Sequence, residues 1–460
     1  MPLVAGVDSS TQSCKVEIRD LDSGDVVAVG RASHPPTNPP RSEQDPTSWW
    51  HALTDAFTQV GSVARDIAAI SVGGQQHGLV VLDHHDEPLR PAKLWNDTES
   101  APQADALVAA VGADVWARRV GSIPVASFTI TKLAWLVEHE PEVVPRIAKV
   151  VLPHDYLNLR LTGVHATDRG DASGSGWFDP VADECATELL ALLGGRDDWA
   201  DLVPTVVGPT EPAGPITTDA AAQLGVPSGI PVGPGSGDNM AAALGLGLTP
   251  GDASLSLGTS GVVYATSPRP TADASGAVAG FADATGGFLP LVCTLNATKV
   301  TDTVARWLGM DHAEFAAAAL RGPHDANGAR LTPYFDGERT PSLPDATGTF
   351  EGLRNDTTPA DLARAAHEGI LRGLLHGLAA LTEAGAAVDG RLHLIGGGAK
   401  SPAYRQILAD LHGAPIRVPD ADETVATGAA VQAAAVLGRP FAETARAWQL
   451  GAGLDVEPTN

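Results

Sequence analysis

The sequence predicts an α/β protein of two domains related by internal duplication. An apolar strand at residues 3–8 enters a hydroxyl-rich turn and leaves through a second strand at 14–20. The same arrangement returns at residues 253–265, around the turn Gly258-Thr-Ser-Gly261. Such turns point backbone N–H groups and hydroxyls into one concavity that suits phosphate oxygens. Either turn alone would also fit an ordinary hairpin, but two turns in corresponding places favour a duplicated phosphate-binding fold.

Length, composition and charge are those of a large enzyme. The 460 residues, 43% of them hydrophobic, can bury two substantial cores. Asp and Glu outnumber Lys and Arg by 55 to 30, and the net charge of -25 disfavours non-specific binding to nucleic acid or to an anionic membrane. Three widely spaced cysteines are typical of reduced thiols, and no apolar run is long enough to span a membrane. We therefore expect a cytoplasmic protein without nucleic-acid or membrane partners.

The first half is predicted to open as a strand meander and to continue with alternating helices and strands. Its strands are expected at residues 3–8, 14–20, 25–33, 67–72 and 78–83. Asp45 and Pro46 begin a helix, with aspartate as the N-cap and proline at the first helical position. The glycine-rich loop at 73–78 follows the carboxyl end of a strand, where open α/β sheets bind their ligands.

The second half repeats this theme after a proline- and glycine-rich connection at residues 203–234. Its further elements are expected as helices near 296–309, 359–385 and 402–412 and as a strand at 392–395. That strand runs into the glycine turn at 396–398, which carries no side chain and lets a flat ring lie against the backbone. A glycine run by itself is a weak signal for nucleotide binding.

Three polar residues at predicted element ends are candidates for chemistry. Asp8 heads the first hydroxyl-rich turn, so beside bound phosphates it would need a cation, for which Mg²⁺ held through water is the natural choice. An Asx-turn or strand-end cap is the alternative. Asp238 precedes an alanine-rich helix at 240–245, which suits either a carboxylate beside an anion site or an N-cap. His77, in its glycine-flanked loop, fits either an ordinary loop histidine or a hydrogen bond to a polyol.

Common nucleotide and metal motifs are absent from the sequence. It contains no Walker A motif, no dinucleotide-binding glycine fingerprint after the first strand, no zinc-protease helix motif and no Cys-x-x-Cys pair. The predicted chemistry that remains is phosphoryl transfer by a fold without a P-loop.

Eight short motifs follow one another along the chain: Val7-Asp-Ser-Ser-Thr11, Gly73-Gly-Gln-Gln-His-Gly78, Leu94-Trp-Asn-Asp97, Leu152-Pro-His-Asp-Tyr156, Gly237-Asp-Asn239, Leu257-Gly-Thr-Ser-Gly261, Gly337-Glu-Arg-Thr-Pro341 and Ile395-Gly-Gly-Gly-Ala399. They occur in the order found in the FGGY family of carbohydrate kinases, which the chain resembles from about residue 3 to about residue 440. The resemblance implies two duplicated ribonuclease-H-like domains around a central cleft, the fold of actin, hexokinase and Hsp70. Residues 1–245 would form the sugar-binding side and residues 246–460 the nucleotide-binding side.

The resemblance also implies the site residues. Asp238 would be the general base and Asp8 the second acidic catalytic residue, and both would support Mg²⁺ through water. The sugar would be held by Gln76, His77, Trp95, Asn96, Asp238 and Asn239. ATP would be held by Thr11, Gly258, Thr259, Ser260, Gly397, Gly398, Ala399 and Ser401.

The implied reaction is ATP-dependent phosphorylation of a ketopentose, and we expect D-xylulose to be converted to D-xylulose 5-phosphate. Family members that act on this sugar often have Gln-Met-His where this chain has Gln75, Gln76 and His77, so ribulose, a pentitol or glycerol stays open as the substrate. A non-catalytic or chaperone-type ATPase of the same fold is the other alternative. The expected partners are the sugar and ATP, and the sequence leaves a homodimer open.

Overall fold

Two seven-stranded sheets, one in each half of the chain, organise the fold in a computed structural model that describes residues 2–341, 343–421 and 423–459. The strands of the first half are β1 (Leu3–Ser9), β2 (Ser13–Asp20), β3 (Val26–Ser33), β4 (Glu43–Gln44), β5 (Ile67–Gly74), β6 (Val80–Leu82), β7 (Ala92–Lys93), β8 (Lys149–Val151), β9 (Ala166–Asp168), β10 (Phe178–Asp179), β11 (Glu184–Cys185), β12 (Thr205–Val207), β13 (Gly214–Pro215), β14 (Pro231–Val232) and β15 (Ser236–Gly237). Its helices are α1 (Pro46–Val60), α2 (Ala101–Val111), α3 (Ala113–Val120), α4 (Thr129–His139), α5 (Pro153–Thr162), α6 (Arg169–Ala172), α7 (Thr187–Leu190), α8 (Trp199–Leu202), α9 (Thr218–Leu224) and α10 (Asp238–Gly245).

The second half contains nine strands and six α-helices among the described residues. The strands are β16 (Ala253–Leu257), β17 (Gly261–Ala265), β18 (Ala279–Ala282), β19 (Phe288–Thr294), β20 (Arg330–Thr332), β21 (Thr349–Glu351), β22 (Leu392–Ile395), β23 (Ile416–Pro419) and β24 (Gly453–Val456). The helices are α11 (Thr298–Leu308), α12 (His312–Arg321), α13 (Pro359–Glu383), α14 (Pro402–His412), α15 (Thr424–Val436) and α16 (Phe441–Ala447).

The two sheets repeat one strand order. The first sheet runs β13-β14-β5-β1-β2-β3, with β15 also beside β5, and the second runs β18-β19-β17-β16-β22-β23-β24. In each sheet the opening strand, β1 or β16, pairs antiparallel with the next strand of its meander and parallel with a strand that arrives later, β5 or β22. This shared topology confirms the duplicated two-domain fold.

Local signals in the first half produce the predicted elements. The meander forms as expected, and α1 begins at Pro46 with the Asp45 side chain accepting a hydrogen bond from the Thr47 backbone N–H. The apolar face of α1, with Leu53 and Phe57 fully buried, packs into the core of the first sheet. Some boundaries were wrong: the helix predicted at 240–245 begins two residues earlier, at Asp238, and the strand predicted at 78–83 covers only Val80–Leu82.

Helix α13 covers the second sheet and forms the centre of its core. Its N-terminus carries a capping box, in which the Thr358 hydroxyl accepts from the Asp361 backbone N–H and the Asp361 carboxylate accepts from the Thr358 backbone N–H. Leu371 and Leu374 are fully buried in this core. Although α13 has 25 residues, no helix in the described part of the chain is long and apolar enough to cross a membrane.

Helix α15 lies in the second half of the sequence but packs on the first sheet. A Cβ at Gly6 of β1 would lie 1.9 Å from the carbonyl oxygen of Ala426, and a Cβ at Gly428 would lie 1.8 Å from that of Ala241 in α10. Only glycine allows backbones to approach this closely. The two halves are therefore joined by a tightly packed helix pair beside the cleft.

Candidate active site

The predicted catalytic residues meet at one edge of the first sheet. Strands β1, β5 and β15 run parallel, and Asp8 and Ser236 both pair with Gly73 of β5. Asp8 is the penultimate residue of β1, the loop with Gln76 follows β5, and Asp238 follows β15. Carboxyl ends of parallel strands are where α/β sheets bind ligands. Residues far apart in the sequence thus form one polar wall.

A cavity of about 410 Å³ lies between this wall and the second half of the chain. Its lining includes Gln76, His77, Trp95, Phe128, Asp238 and Asn239 from the first half and Ser260, Phe281, Cys293, Arg339 and Thr340 from the second. Of the residues predicted to hold the sugar, all but Asn96 line this cavity. Its position between the halves and its mixture of rings and polar groups are typical of a small-molecule site.

Asp238 stands at the start of α10 with its carboxylate directed into this site. Gly237 is the N-cap residue and makes no side-chain cap, so the helix-cap alternative for Asp238 is not what the structure has. The Asn239 amide donates to Asp238 Oδ1 at 2.9 Å. Burial, together with the negative charge of Asp8, raises the pKa of Asp238 to about 7. A carboxylate with this pKa can take up a proton at neutral pH.

Asp8 is the second acidic group of the wall. The Ser10 hydroxyl donates a hydrogen bond to Asp8 Oδ1. Burial raises the pKa of Asp8 to about 6, against the lowering effect of that hydrogen bond, and the charge of Glu423 adds to the increase. The charge of Asp8 raises the proton affinity of Asp238, and two neighbouring carboxylates of this kind form a donor set that suits a divalent cation. The residues present therefore fit Mg²⁺.

His77 is held tightly from several sides. Its backbone has a positive φ of 58°, which is uncommon for a residue with a side chain. Its ring packs against Phe128 of the first half and Phe281 of the second, with centroid distances of 5.4 and 5.0 Å, and these two phenyl rings also contact each other at 6.0 Å. Its Nδ1 is 3.0 Å from Asp171 Oδ1, which leaves Nε2 for a ligand in the cavity.

The oxygen and the nitrogen of the Gln76 side-chain amide both form hydrogen bonds with residues of helix α10. Its Oε1 accepts from the Asn239 amide at 2.5 Å, and its Nε2 donates to the Met240 sulfur at 3.1 Å. A Cβ at Gly237 would lie only 2.6 Å from Gln76 Cγ, so glycine is required there. Gln76 therefore orients Asn239, which in turn contacts Asp238.

Trp95 and Thr11 connect the cavity to the first hydroxyl-rich turn. The indole N–H of Trp95 donates to Thr11 Oγ1 at 2.9 Å, and this hydroxyl donates to Gln75 Oε1 at 3.3 Å. Asn96, next to Trp95, lies outside the cavity and its buried Oδ1 has no hydrogen-bond partner. The structure thus places Trp95 but not Asn96 in contact with the cavity.

A carboxylate cluster behind Trp95 is filled by a lysine. Glu43, Asp97 and Glu99 present oxygens close enough to share a cation, and they form the one such three-residue group found among the described residues. The fully buried Lys93 has its Nζ 2.6 Å from Glu99, 3.2 Å from Asp97 and 3.4 Å from Glu43. Its ammonium group supplies the positive charge, so this cluster supports the loop rather than binding a metal.

Of the residues predicted to hold the nucleotide, Thr11 follows β1 of the first sheet, and the others follow two neighbouring strands of the second sheet. Ser256 of β16 pairs with Ile395 of β22, which brings the Gly258-Thr-Ser turn beside the glycine turn that contains Gly397, Gly398 and Ala399. Thr259 and Ser260 are exposed, and a Cβ at Gly397 would meet no atom within 4 Å. Ser401 ends this turn and precedes α14. Among these residues only Ser260 reaches the cavity; Thr11, Gly258 and Thr259 lie outside its lining.

Several residues at the site carry no recognisable signal in the sequence. Phe128 and Phe281 pack against the ring of His77, and Asp171 lies within hydrogen-bond distance of its Nδ1, although none of the three belongs to a motif. Thr298 caps the second turn from α11, since its backbone N–H and its hydroxyl both donate to the Gly258 carbonyl. Arg339 belongs to the motif Gly337-Glu-Arg-Thr-Pro341, but the sequence pattern assigns it no role, whereas the structure places it in the lining of the cavity.

Comparison with known proteins identifies the family. The N-terminal domain of the FGGY family of carbohydrate kinases matches residues 3–245, and the C-terminal domain of the same family matches residues 253–437. The chain belongs to the FGGY family of carbohydrate kinases. This FGGY kinase is 50% identical to the xylulose kinase of Streptomyces rubiginosus, over 98% of this chain and 92% of that protein.

More distant relatives bear the same name, xylulose kinase. The xylulose kinase of Haemophilus influenzae is 36% identical over 93% of this chain and 89% of its own. The crystal structure of xylulose kinase from Bifidobacterium adolescentis superposes with a TM-score of 0.91 at 43% identity, covering 100% of this chain and 97% of that one. The fold and the assignment as a phosphotransferase are therefore established together.

Proposed function

We propose that this FGGY kinase transfers the γ-phosphoryl group of ATP to D-xylulose and forms D-xylulose 5-phosphate in the cytoplasm. The observation that carries the proposal is the cavity in which Asp238, with its pKa raised to about 7, lies beside Asn239, Gln76 and His77. Relatives that cover nearly the whole chain bear the name xylulose kinase. Nucleic acid and membranes have no part in this activity.

Asp238 serves as the general base in this proposal. Its carboxylate takes the proton from the attacking hydroxyl, whose oxygen forms the new bond to the γ-phosphorus. The bond from that phosphorus to the oxygen bridging to the β-phosphate breaks, and ADP leaves with the electron pair. Asn239 holds Asp238 through the 2.9 Å hydrogen bond, which fixes the direction in which the carboxylate points. Because the cavity lies between the two halves, closure around a bound sugar would exclude water as a competing acceptor.

The remaining predicted residues divide between sugar, phosphates and adenosine. Mg²⁺, when bound, neutralises charge on the transferred phosphoryl group, and Asp8 and Asp238 would hold it through water. Residues 1–245 would supply the sugar side of the cleft and residues 246–460 the nucleotide side. The turn residues Thr11, Gly258, Thr259 and Ser260 would hold the β- and γ-phosphates, while Gly397, Gly398, Ala399 and Ser401 would border the adenosine.

The position of Gln76 supports D-xylulose in spite of the departure from Gln-Met-His. Both ends of its amide already have partners, Asn239 and Met240, so the amide does not add an unpaired polar group to the cavity. His77 and Asn239 remain to distinguish adjacent hydroxyls of an open-chain ketose. A site built to hydrogen-bond a hydroxyl rejects the epimer that leaves its groups unpaired.

A substrate panel in a coupled ADP-release assay tests the proposal. We expect kcat/KM for D-xylulose to exceed that for D-ribulose, with D-xylose, a pentitol and glycerol weaker still. His77→Ala should weaken sugar binding and reduce the preference between the two ketopentoses, whereas the KM for ATP should change little. A preference for D-ribulose or for a pentitol would overturn the substrate assignment, and ADP release that no sugar stimulates would overturn the whole proposal.

A further inference from the structure

A buried cluster of aspartate and histidine side chains lies on the side of His77 that faces away from the cavity. Asp171 Oδ1 is 3.0 Å from His77 Nδ1 and accepts from the His77 backbone N–H at 3.2 Å. Asp171 Oδ2 is 3.2 Å from Nδ1 of His154. On the far side, His154 Nε2 lies 3.0 Å from Asp155 Oδ1 and 3.4 Å from Asp168 Oδ1. The four residues behind His77 are 0–3% exposed and do not line the cavity: Asp155, Asp168, Asp171 and His154.

We propose that Asp171 is a positioning residue that holds His77 as the tautomer with its proton on Nδ1, so that Nε2 faces the cavity ligand as a hydrogen-bond acceptor. The tautomer of a neutral histidine is set by the partner of its other ring nitrogen. An ionised carboxylate can only accept hydrogen bonds, so both imidazoles must present Nδ1–H to Asp171. The inference rests on the proposed function only in naming a sugar as the ligand.

The charges around Asp171 support its ionised state. Burial alone would raise the pKa of Asp171, but the hydrogen bonds from His154 and His77 lower it to about 2. Burial would likewise lower the pKa of His154, but the charges of Asp155, Asp171 and Asp168 raise it to about 9. His154 therefore carries a positive charge behind Asp171 at neutral pH, which keeps the acceptor anionic while it is out of contact with water.

Two glycines leave space for the imidazole rings of His77 and His154. A Cβ at Gly174 would lie 1.7 Å from His77 Cε1 and 2.0 Å from Nδ1. A Cβ at Gly235 would lie 2.4 Å from His154 Cδ2. The His77 backbone is also fixed, because the Thr129 hydroxyl donates to its carbonyl at 3.1 Å. The ring of His77 thus has one well-defined place, pressed against backbone and bonded to Asp171.

This arrangement has a consequence for recognition. A sugar hydroxyl that meets His77 Nε2 must donate its proton to it, which fixes the direction of that hydroxyl's own acceptor lone pairs. The opposite tautomer would present Nε2–H and would favour a different hydroxyl arrangement. Asp171, although it does not touch the ligand, would therefore contribute to the choice between epimers.

Asp171→Asn tests this role through sugar kinetics. Asparagine keeps the shape but removes the charge, so we expect the KM for D-xylulose to rise by about tenfold or more, with the KM for ATP unchanged and the preference over D-ribulose reduced. In a His77→Ala background, Asp171→Asn should add little, since its effect passes through His77. Independent, additive losses in the double variant would overturn the proposal.

The matched control is Asp20→Asn. Asp20 is also buried, at 4% exposed, but it accepts hydrogen bonds from its own turn, at Asp22 and Ser23. It pairs with Leu3 at the start of β1, whereas Asp8 lies at the opposite end of that strand. Its replacement should leave sugar KM and substrate preference at wild-type values, and a tenfold rise there would mean that any buried aspartate affects the site.

A spectroscopic measurement tests the tautomer without relying on activity. With ¹³C- and ¹⁵N-labelled histidine, the His77 ring signals are assigned by their loss in His77→Gln. At pH 7.5 we expect the Nδ1–H tautomer in the wild-type protein and a shift away from it in Asp171→Asn and in Gly174→Ala. The Nε2–H tautomer or an imidazolium in the wild type would overturn the proposal. If the Nδ1–H tautomer is present but no ketopentose stimulates ATP turnover, the proposed function fails while the role of Asp171 stands.

Discussion

Replacement of Asp238 by asparagine should reduce activity and increase stability at the same time. Asparagine keeps the size of the side chain and can still accept from Asn239, but it cannot take up the hydroxyl proton. Removal of a general base costs about 10²-fold or more in turnover, which corresponds to about 3 kcal/mol of transition-state stabilisation. The KM for the sugar should change far less.

The gain in stability follows from the cost of the buried charge. Burial and the neighbouring Asp8 raise the pKa of Asp238 from 3.8 to about 7. That difference corresponds to at most about 4 kcal/mol of folding free energy that the ionised wild-type protein loses above pH 7. Below the unfolded-state pKa the carboxyl is protonated in both states and the cost is absent, and it grows as the pH rises from about 4 to about 7. Without nucleotide or Mg²⁺, the Asp238→Asn protein should therefore have the higher Tm at pH 8, and the difference should disappear towards pH 4.

Two measurements check this prediction. Turnover is followed by coupled ADP release, and Tm by a thermal scan at several pH values, with Asp20→Asn as the control for replacing a buried aspartate elsewhere. The wild-type kcat/KM for the sugar should also fall roughly tenfold between pH 8 and pH 6, since the protonated form of Asp238 cannot act as a base. A variant with near-wild-type turnover would refute the role of general base, and equal Tm values at pH 8 would refute the buried-charge reasoning.

Two further predictions concern the metal and the cleft. Asp8→Asn should lower turnover and raise the Mg²⁺ concentration needed for half-maximal activity, because its proposed partner is the cation; a Mg²⁺ titration that matches the wild type would remove that assignment. Sugar together with nucleotide should compact the protein in small-angle X-ray scattering, because the proposed binding residues for the two ligands lie on both halves of the cleft. Scattering profiles that are identical with and without ligands would mean that the cleft is rigid or already closed.

The elements that carry the site were predictable because their signals are local. The strand that carries Asp8 near its end, the cap at Asp45 and the glycine turn after β22 all follow from alternation, capping and turn chemistry within a few residues. Ordered motifs then indicated the family, and the family indicated the fold. The helix boundary at Asp238 was misplaced by two residues, since glycine at the N-cap leaves the usual capping pattern without a signal.

The sequence by itself therefore determined the duplicated fold, the family and the loops at which chemistry occurs. Only the tertiary structure decided what surrounds those loops: Asp171 reaches His77 across 94 residues, Phe281 comes from the other half of the chain, and α15 packs on a sheet to which it does not belong in sequence. Neither periodicity nor turn chemistry contains such contacts, because they arise when separate elements pack and must share buried charge and space. Local sequence signals thus determine at which turns and helix ends the reactive residues lie, but their protonation and orientation depend on partners that only folding brings together.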